Sequence, residues 1–396
     1  MQTPQPIAAP HHWYKGLDGV RAIAVTMVFL HHYYSKILID CGWTGVQVFF
    51  VLSGFLITGI LFDSRREPFR FRNFYIRRTL RIFPLFFFTW LLILLAGIYL
   101  HLQWRPWHYL WVVYLGNFTR FFVGSLDCDH IYTALPLLPI EIGHYWSLAV
   151  EEQFYLLWPL VVFLVGSRKT LIRICLAVIV FSPLLRLVLY WTLPQTLLSL
   201  DFLFRFTFTQ CDSFLLGGLI ALLMRGDQKQ QTLRAANWLL YLSLGCLMFL
   251  HLKSNNWRLH DLNFDRPWMP IFGLSLINFA AAGLILSALR QGSIIYRLTA
   301  SWPLRQLGRY SYGFYVYHVL MAPFLHVFVW PQSEFPKNAA HYFHSVLGLV
   351  LDFALVLAVS VLSYHFVESP FLRLKDRFTF RAKTTEAGPQ LSPTTS

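Results

Sequence analysis

Charge is scarce in this chain. Asp, Glu, Lys and Arg make up 13% of its 396 residues, about half the share of an average soluble domain. With 56% hydrophobic residues and a mean hydropathy of +0.50, that shortage excludes an ordinary soluble globule and points to lipid. Acidic residues are scarcer than basic ones, 19 against 33, and leave a net charge of +14. In a soluble protein such a charge suggests nucleic acid. Here the basic residues sit between apolar runs, which ties them to the bilayer surface and removes nucleic acid as a partner. Only five cysteines occur, without CxxC spacing, so a zinc ribbon or redox pair is not expected. Walker A, GxSxG and HExxH patterns are missing too, which sets aside the common ATPase, hydrolase and metalloprotease sites. "DCDH" at 127–130 superficially resembles a metal cluster. Consecutive residues in one loop rarely build tetrahedral geometry, so no metal is expected.

What the chain has in abundance is apolar length. Runs fall at about 17–36, 44–62, 82–101, 107–123, 145–165, 171–191, 207–224, 235–252, 270–289, 306–330 and 345–366, close to the roughly 20 residues of a membrane span. The fourth run is short and holds His108, Gly116, Asn117 and Arg120. The positive-inside rule arbitrates. If 107–123 dips into the outer face and returns, the cytoplasmic side carries 24 Lys and Arg against eight outside. A full span there abolishes that bias. The expectation is an all-α polytopic protein of the cell inner (plasma) membrane. It would have about ten transmembrane helices, one re-entrant or interfacial segment and both termini cytoplasmic. The first apolar stretch contains Asp18 and Arg21 and has no A-x-A cleavage site, so it reads as an uncleaved helix. Residues 1–16 read as a cytoplasmic N-terminus, 17–372 as one membrane domain, and 373–396 as a basic then Thr/Ser/Pro-rich, disordered tail. Cys41 and Cys128 both fall in outer loops, where a disulfide or two free thiols are equally open.

The opening helix, "RAIAVTMVFLHHYY" at 21–34, begins on an arginine and ends among histidines. At 100° per residue Arg21 and His32 differ by three turns plus about 20°, so they share a face about 16 Å apart along the axis. Asp18 joins that stripe, whereas His31 is turned away. Arg21 can simply snorkel and His32 bond a neighbouring helix. Yet ionisable groups inside spans usually line a pathway or a site, and histidine titrates where a general base must.

"LDGVRAIAVTMVFLHH", "GVQVFFVLSGFLIT", "FYIRRTLRIFP", "HYWSLAVEEQFYLLWPL", "CDSFLLGG" and "LGRYSYGFYVYH" resemble, in order, the signatures of the membrane acyltransferase 3 family. The resemblance runs from residue 17 to about 372. It implies an O-acyltransferase that moves an acyl group, often acetyl, from cytoplasmic acyl-CoA. The acceptor would be a hydroxyl of a glycan, lipid-linked sugar or small molecule, in many members at the outer face. The family's helix-one arginine and histidine fall on Arg21 and His32. Its R-x-x-R motif falls on Arg78 and Arg81 with Arg77 alongside, and the acid of its W-S-L motif on Glu151. Its S-Y-x-x-Y-L-x-H motif falls on Ser311, Tyr312, Tyr315 and His318, with Val316 where leucine is usual. Some relatives carry an extra helix and a secreted hydrolase-like domain. This chain reads as the stand-alone form.

The residues themselves agree with that reading but leave alternatives. Seven arginines between 65 and 81 exceed what orientation requires, and arginine forks suit the phosphates of CoA. They also suit anionic lipid. Ser147, Glu151 and Tyr155 share one helical face, from which Glu151 can stabilise a His32 imidazolium or pair with an arginine such as Arg186 or Arg205. Asp212 has the same two readings. Ser311, Tyr315 and His318 share a face as well, where His318 is either a site group or a satisfied structural histidine. The expectation is catalysis by His32, Arg21 and Glu151, with Arg77, Arg78 and Arg81 on the donor. Asp18, Ser147, Tyr155, Asp212, Ser311, Tyr315 and His318 would line the site. Acyl-CoA, acetyl-CoA in the first instance, is a co-substrate and no cofactor is held permanently. A general base and a transient acyl-histidine remain open for His32. The alternative function is a transporter or channel for a polar solute, although no internal repeat supports it.

Overall fold

The computed structural model describes residues 14–34, 40–133, 139–254, 268–328 and 339–378. The Thr/Ser/Pro-rich tail read as disordered lies outside them. Ten long helices are numbered here in chain order: α1 (Lys15–Tyr34), α2 (Thr44–Ser64), α3 (Arg70–Leu100), α4 (Tyr145–Val165), α5 (Arg168–Thr192), α6 (Thr207–Leu223), α7 (Ala236–Ser254), α8 (Leu274–Leu289), α9 (Ser311–Phe328) and α10 (Ala339–Ser363). Eight of them, all but α1 and α9, lie in segments long and apolar enough to cross a membrane. The two exceptions carry the His32 and His318 motifs, so their apolar character is diluted by the residues of interest. The chain is an all-α polytopic membrane protein. Pro84, Pro159, Pro183 and Pro323 lie inside helices, which membrane helices tolerate because neighbours satisfy the freed backbone groups.

Burial separates the bundle's centre from its lipid face. Across the apolar stretch of α2 78% of residues are buried, against 22% for α5 and 28% for α10. α2 owes its central place to small residues. A Cβ on Gly54 would lie 1.8 Å from the Phe214 carbonyl oxygen, and one on Gly217 1.9 Å from that of Val51. α2 and α6 therefore cross backbone to backbone, as small-residue interfaces in membranes allow. The exposed side chains of α3, including Leu91, Leu94, Leu95 and Ile98, form an apolar surface suited to lipid.

The helices alternate in direction, so their ends form two faces. One face, the basic end, gathers the start of α1, the Arg65–Arg81 stretch, Arg168, Arg225 and the short helix Trp302–Arg309. The other, the capped end, is covered by residues 101–133 and 139–143. Segment 107–123 does not span. It breaks into helices His108–Val112 and Thr119–Val123 around a 3-10 turn at Gly116–Phe118, with Tyr114 in the left-handed region at φ 58. Asn117 donates to the Arg205 carbonyl at 3.2 Å, and Gln153 of α4 donates to Tyr114 O at 2.8 Å and Asn117 Oδ1 at 2.9 Å. The polar residues that made this run ambiguous in sequence are the ones that fold it back. A two-stranded antiparallel ribbon, His130–Ile131 with Ile140–Glu141, completes the cap. Cys41 and Cys128 are not joined to each other by a disulfide.

Candidate active site

α1 delivers its polar stripe as its periodicity requires. At the basic end Arg21 donates to Asp18 at 2.8 Å. Arg21 and Arg78 lie within electrostatic range of Arg81, as does Glu368. Arg81 keeps an exposed surface although it lies within the bundle. Arg77, one residue round the helix from Arg78, is exposed. Three arginines from two helices thus converge, with Asp18, Glu368 and, beside Arg78, Glu151 as the nearby acids. Like charges brought this close repel unless an anion joins them.

At the other end of α1, His32 Nδ1 contacts the Val28 carbonyl at 2.9 Å. A carbonyl only accepts, so Nδ1 carries the proton and Nε2 keeps its lone pair. His318 on α9 is fixed the same way, Nδ1 to the Tyr315 carbonyl at 2.6 Å. Its free Nε2 then faces His32 Nδ1 at 3.4 Å, and the two rings meet edge-on with centroids 4.9 Å apart. His318 is fully buried, whereas His32 retains an exposed surface. Tyr33 donates to the His318 carbonyl at 2.6 Å, which fastens α1 to α9 beside the pair. His318 is thus satisfied by the backbone and also stands against His32.

A third imidazole was not singled out in the sequence. His144, just before α4, lies 5.5 Å from the His318 ring and is 3% exposed. Its Nε2 meets the Val316 carbonyl at 3.1 Å. Tyr315 donates to His144 O at 3.0 Å, Ser147 does so at 3.2 Å, and the two hydroxyls bond each other. Ser147, Tyr315 and His318 thus come together with His32. The signal was present: His144 is the first residue of the stretch "HYWSLAVEEQFYLLWPL" that supplied Ser147 and Glu151.

Glu151 does not join the imidazoles. It lies seven residues along α4 from His144, about 10 Å by helical rise. Its partners are the hydroxyls of Ser53 and Tyr155, with Arg78 Nη2 at 4.0 Å. The expected support of His32 by this carboxylate gives way to an arginine pairing, because the two groups sit at different depths. Asp212 is also elsewhere. Arg186, fully buried, grips it at 2.8 and 3.1 Å, and Ser275 donates to it at 2.7 Å. That pair ties α5 to α6 and α8 and has no side-chain bond to the histidines. Ser311 is buried but stands about 10 Å along α9 from His318.

The sequence of α1 through α10 decides the family. Residues 14–365 match the acyltransferase 3 family, described as an acyltransferase domain. The chain belongs to that family. Among curated proteins it is similar to the Bacillus subtilis (strain 168) protein named "Putative peptidoglycan O-acetyltransferase YrhL". The two are 28% identical over 379 residues, covering 91% of this chain and 55% of that protein. It is also similar to O-acetyltransferase OatA of Staphylococcus aureus (strain NCTC 8325 / PS 47), 26% identical over 369 residues. That match covers 90% of this chain and 56% of the relative. The chain thus spans little more than half the length of these relatives. No solved structure matches it.

Above the histidines the cap holds its own charge network. Asp129, fully buried, contacts Arg120 at 2.7 Å, His130 at 3.3 Å and Arg205 at 3.5 Å, while Asp201 contacts Arg120 at 2.8 Å and Arg205 at 2.9 Å. Burial alone would raise the Asp129 pKa, but His130, Arg205 and Arg120 outweigh it and hold the carboxyl below its ordinary value. The Asp129 carboxylate beside it in turn raises the His130 pKa against the opposing effect of burial. Arg205 reaches within electrostatic range of His32, so this network borders the site. Among the described residues no group of three or more His, Cys, Asp or Glu is arranged to hold a metal.

Proposed function

We propose that the chain is a membrane-embedded O-acyltransferase, moving an acetyl group from acyl-CoA to a hydroxyl of a glycan. One observation carries the reading: the bundle gathers Arg21, Arg78 and Arg81 at one end and, at the other, an imidazole whose Nε2 is left with its lone pair. Family membership supports the reaction class, and the names of the relatives support a glycan acceptor. The basic end is cytoplasmic, by the charge bias of its loops, and receives CoA. Arg78, Arg81 and Arg21 bind its phosphates. The acyl-bearing arm extends along α1 toward His32, and the acceptor enters from the capped, outer side.

Nε2 of His32 takes the proton of the acceptor hydroxyl as that oxygen attacks the thioester carbonyl. The C–S bond then breaks, and the CoA thiolate leaves with the proton returned by His32. The Nδ1–H of His32 is shared between the Val28 carbonyl at 2.9 Å and His318 Nε2 at 3.4 Å, so the two acceptors orient the ring and share the transient imidazolium charge, the role a carboxylate fills in hydrolytic triads. The test is thioester consumption by purified protein with acetyl-CoA and a glycan acceptor. Acceptor-dependent release of CoA is expected. A solute carrier would release none.

A further inference from the structure

Midway through the bundle lies a polar node that the proposed chemistry does not use. Ser53 on α2 and Tyr155 on α4 both donate to Glu151 Oε1, and Tyr155 also donates to Ser53 Oγ at 3.0 Å. Among the described residues Oε2 takes no hydrogen bond. The Arg78 guanidinium lies 3.7 Å from the centroid of the Tyr155 ring and 4.0 Å from Oε1. That separation is an ion pair in reach of the carboxylate, not a closed hydrogen bond. Phe154 and Trp158 on the same helix are buried. Ser53, Glu151 and Arg78 nonetheless retain accessible surface. A carboxylate so placed has an acceptor position left for a donor from outside the protein.

We propose that Ser53, Glu151 and Tyr155 form a subsite for the amide-bearing arm of the thioester donor, with Glu151 Oε2 accepting an amide N–H. The assignment rests on the reading that the donor is acyl-CoA. Its basis is position. The node adjoins Arg78, which would hold phosphate, and lies about 10 Å from the level of His144 along α4. In a pantetheine arm seven bonds separate the sulfur from the second amide nitrogen, about 9 Å when extended at ordinary bond lengths. With the thioester beside the imidazoles, that amide falls at the depth of Glu151. An arm crossing an apolar bundle must leave its amide hydrogen bonds to water behind, and this carboxylate replaces one of them.

The test compares two ligands on the purified full-length chain: CoA, and 3′-phospho-ADP, which keeps the phosphates but has no arm. Glu151→Gln is expected to weaken CoA binding about 10- to 100-fold, as for a lost hydrogen bond to a charged group, and leave 3′-phospho-ADP unchanged. Ser53→Ala, which removes one hydroxyl and little volume, is expected to shift CoA affinity in the same direction, less far, and again spare the fragment. Arg78→Ala weakens both ligands. Equal losses for CoA and the fragment in Glu151→Gln would mean that the carboxylate only props Arg78, and no loss for either would remove the subsite. Wild-type protein that binds neither ligand overturns the donor reading itself, which separates that failure from a failure of the subsite.

Discussion

His32 presents a lone pair because the Val28 carbonyl takes its other nitrogen, and this dictates a pair of unequal substitutions. His32→Ala is expected to insert normally and lose about 10²–10⁴-fold in acyl transfer, the usual worth of a general base. His31→Ala, on a neighbouring face of the same helix, should retain most activity, and comparable losses in both would refute the face assignment. His318→Asn should lower kcat with little change in KM, because a positioning residue acts after binding. An alanine pair at Arg78 and Arg81 should instead raise the apparent KM for acyl-CoA. Much of this was legible in the sequence, since the spacing of Arg21 and His32 follows from helical pitch alone. The partner of Glu151 was not legible. It depends on the depth at which α4 sits against α2 and α3, which a single helix does not encode. Ser53 was invisible as a small neutral residue in an apolar run.

The cap and the helix crossings make their predictions at the level of elements. Asp129, held below its ordinary pKa, stabilises the cap above the unfolded carboxylate value, and that contribution is lost as pH falls through its lower folded value. His130, raised above 6.5, stabilises fully below the unfolded imidazole value and loses its contribution as pH rises through the folded one. The pair is therefore at full strength between roughly pH 4 and pH 6.5. Hydrogen exchange across 101–133 should show protection declining above that window in wild type but not in His130→Gln. Identical profiles would show that the pair does not hold the cap. At the α2–α6 crossing, Gly217→Leu should lower the melting temperature sharply, since its first side-chain carbon already collides with the Val51 carbonyl. The broken course of 107–123 was readable from His108, Gly116, Asn117 and Arg120. Its docking through Gln153 was not, because that contact joins positions 36 and 39 residues apart.

Across the whole molecule, charge and chemistry share one axis. In the proposed orientation the bias of 24 basic residues against eight turns the arginine cluster toward the cytoplasm, and α1 carries His32 toward the far side, about 16 Å from Arg21. On the proposed reading an acyl group moving from one to the other crosses much of the bilayer while CoA stays behind. Sealed inside-out membrane vesicles containing the protein measure this directly. Radiolabelled acetyl-CoA supplied to their exterior, which is the cytoplasmic face, should be consumed only when a membrane-impermeant glycan acceptor is enclosed in the lumen, and the label should be recovered on that acceptor. Efficient labelling of the same acceptor added outside the vesicles would contradict transfer through the bundle.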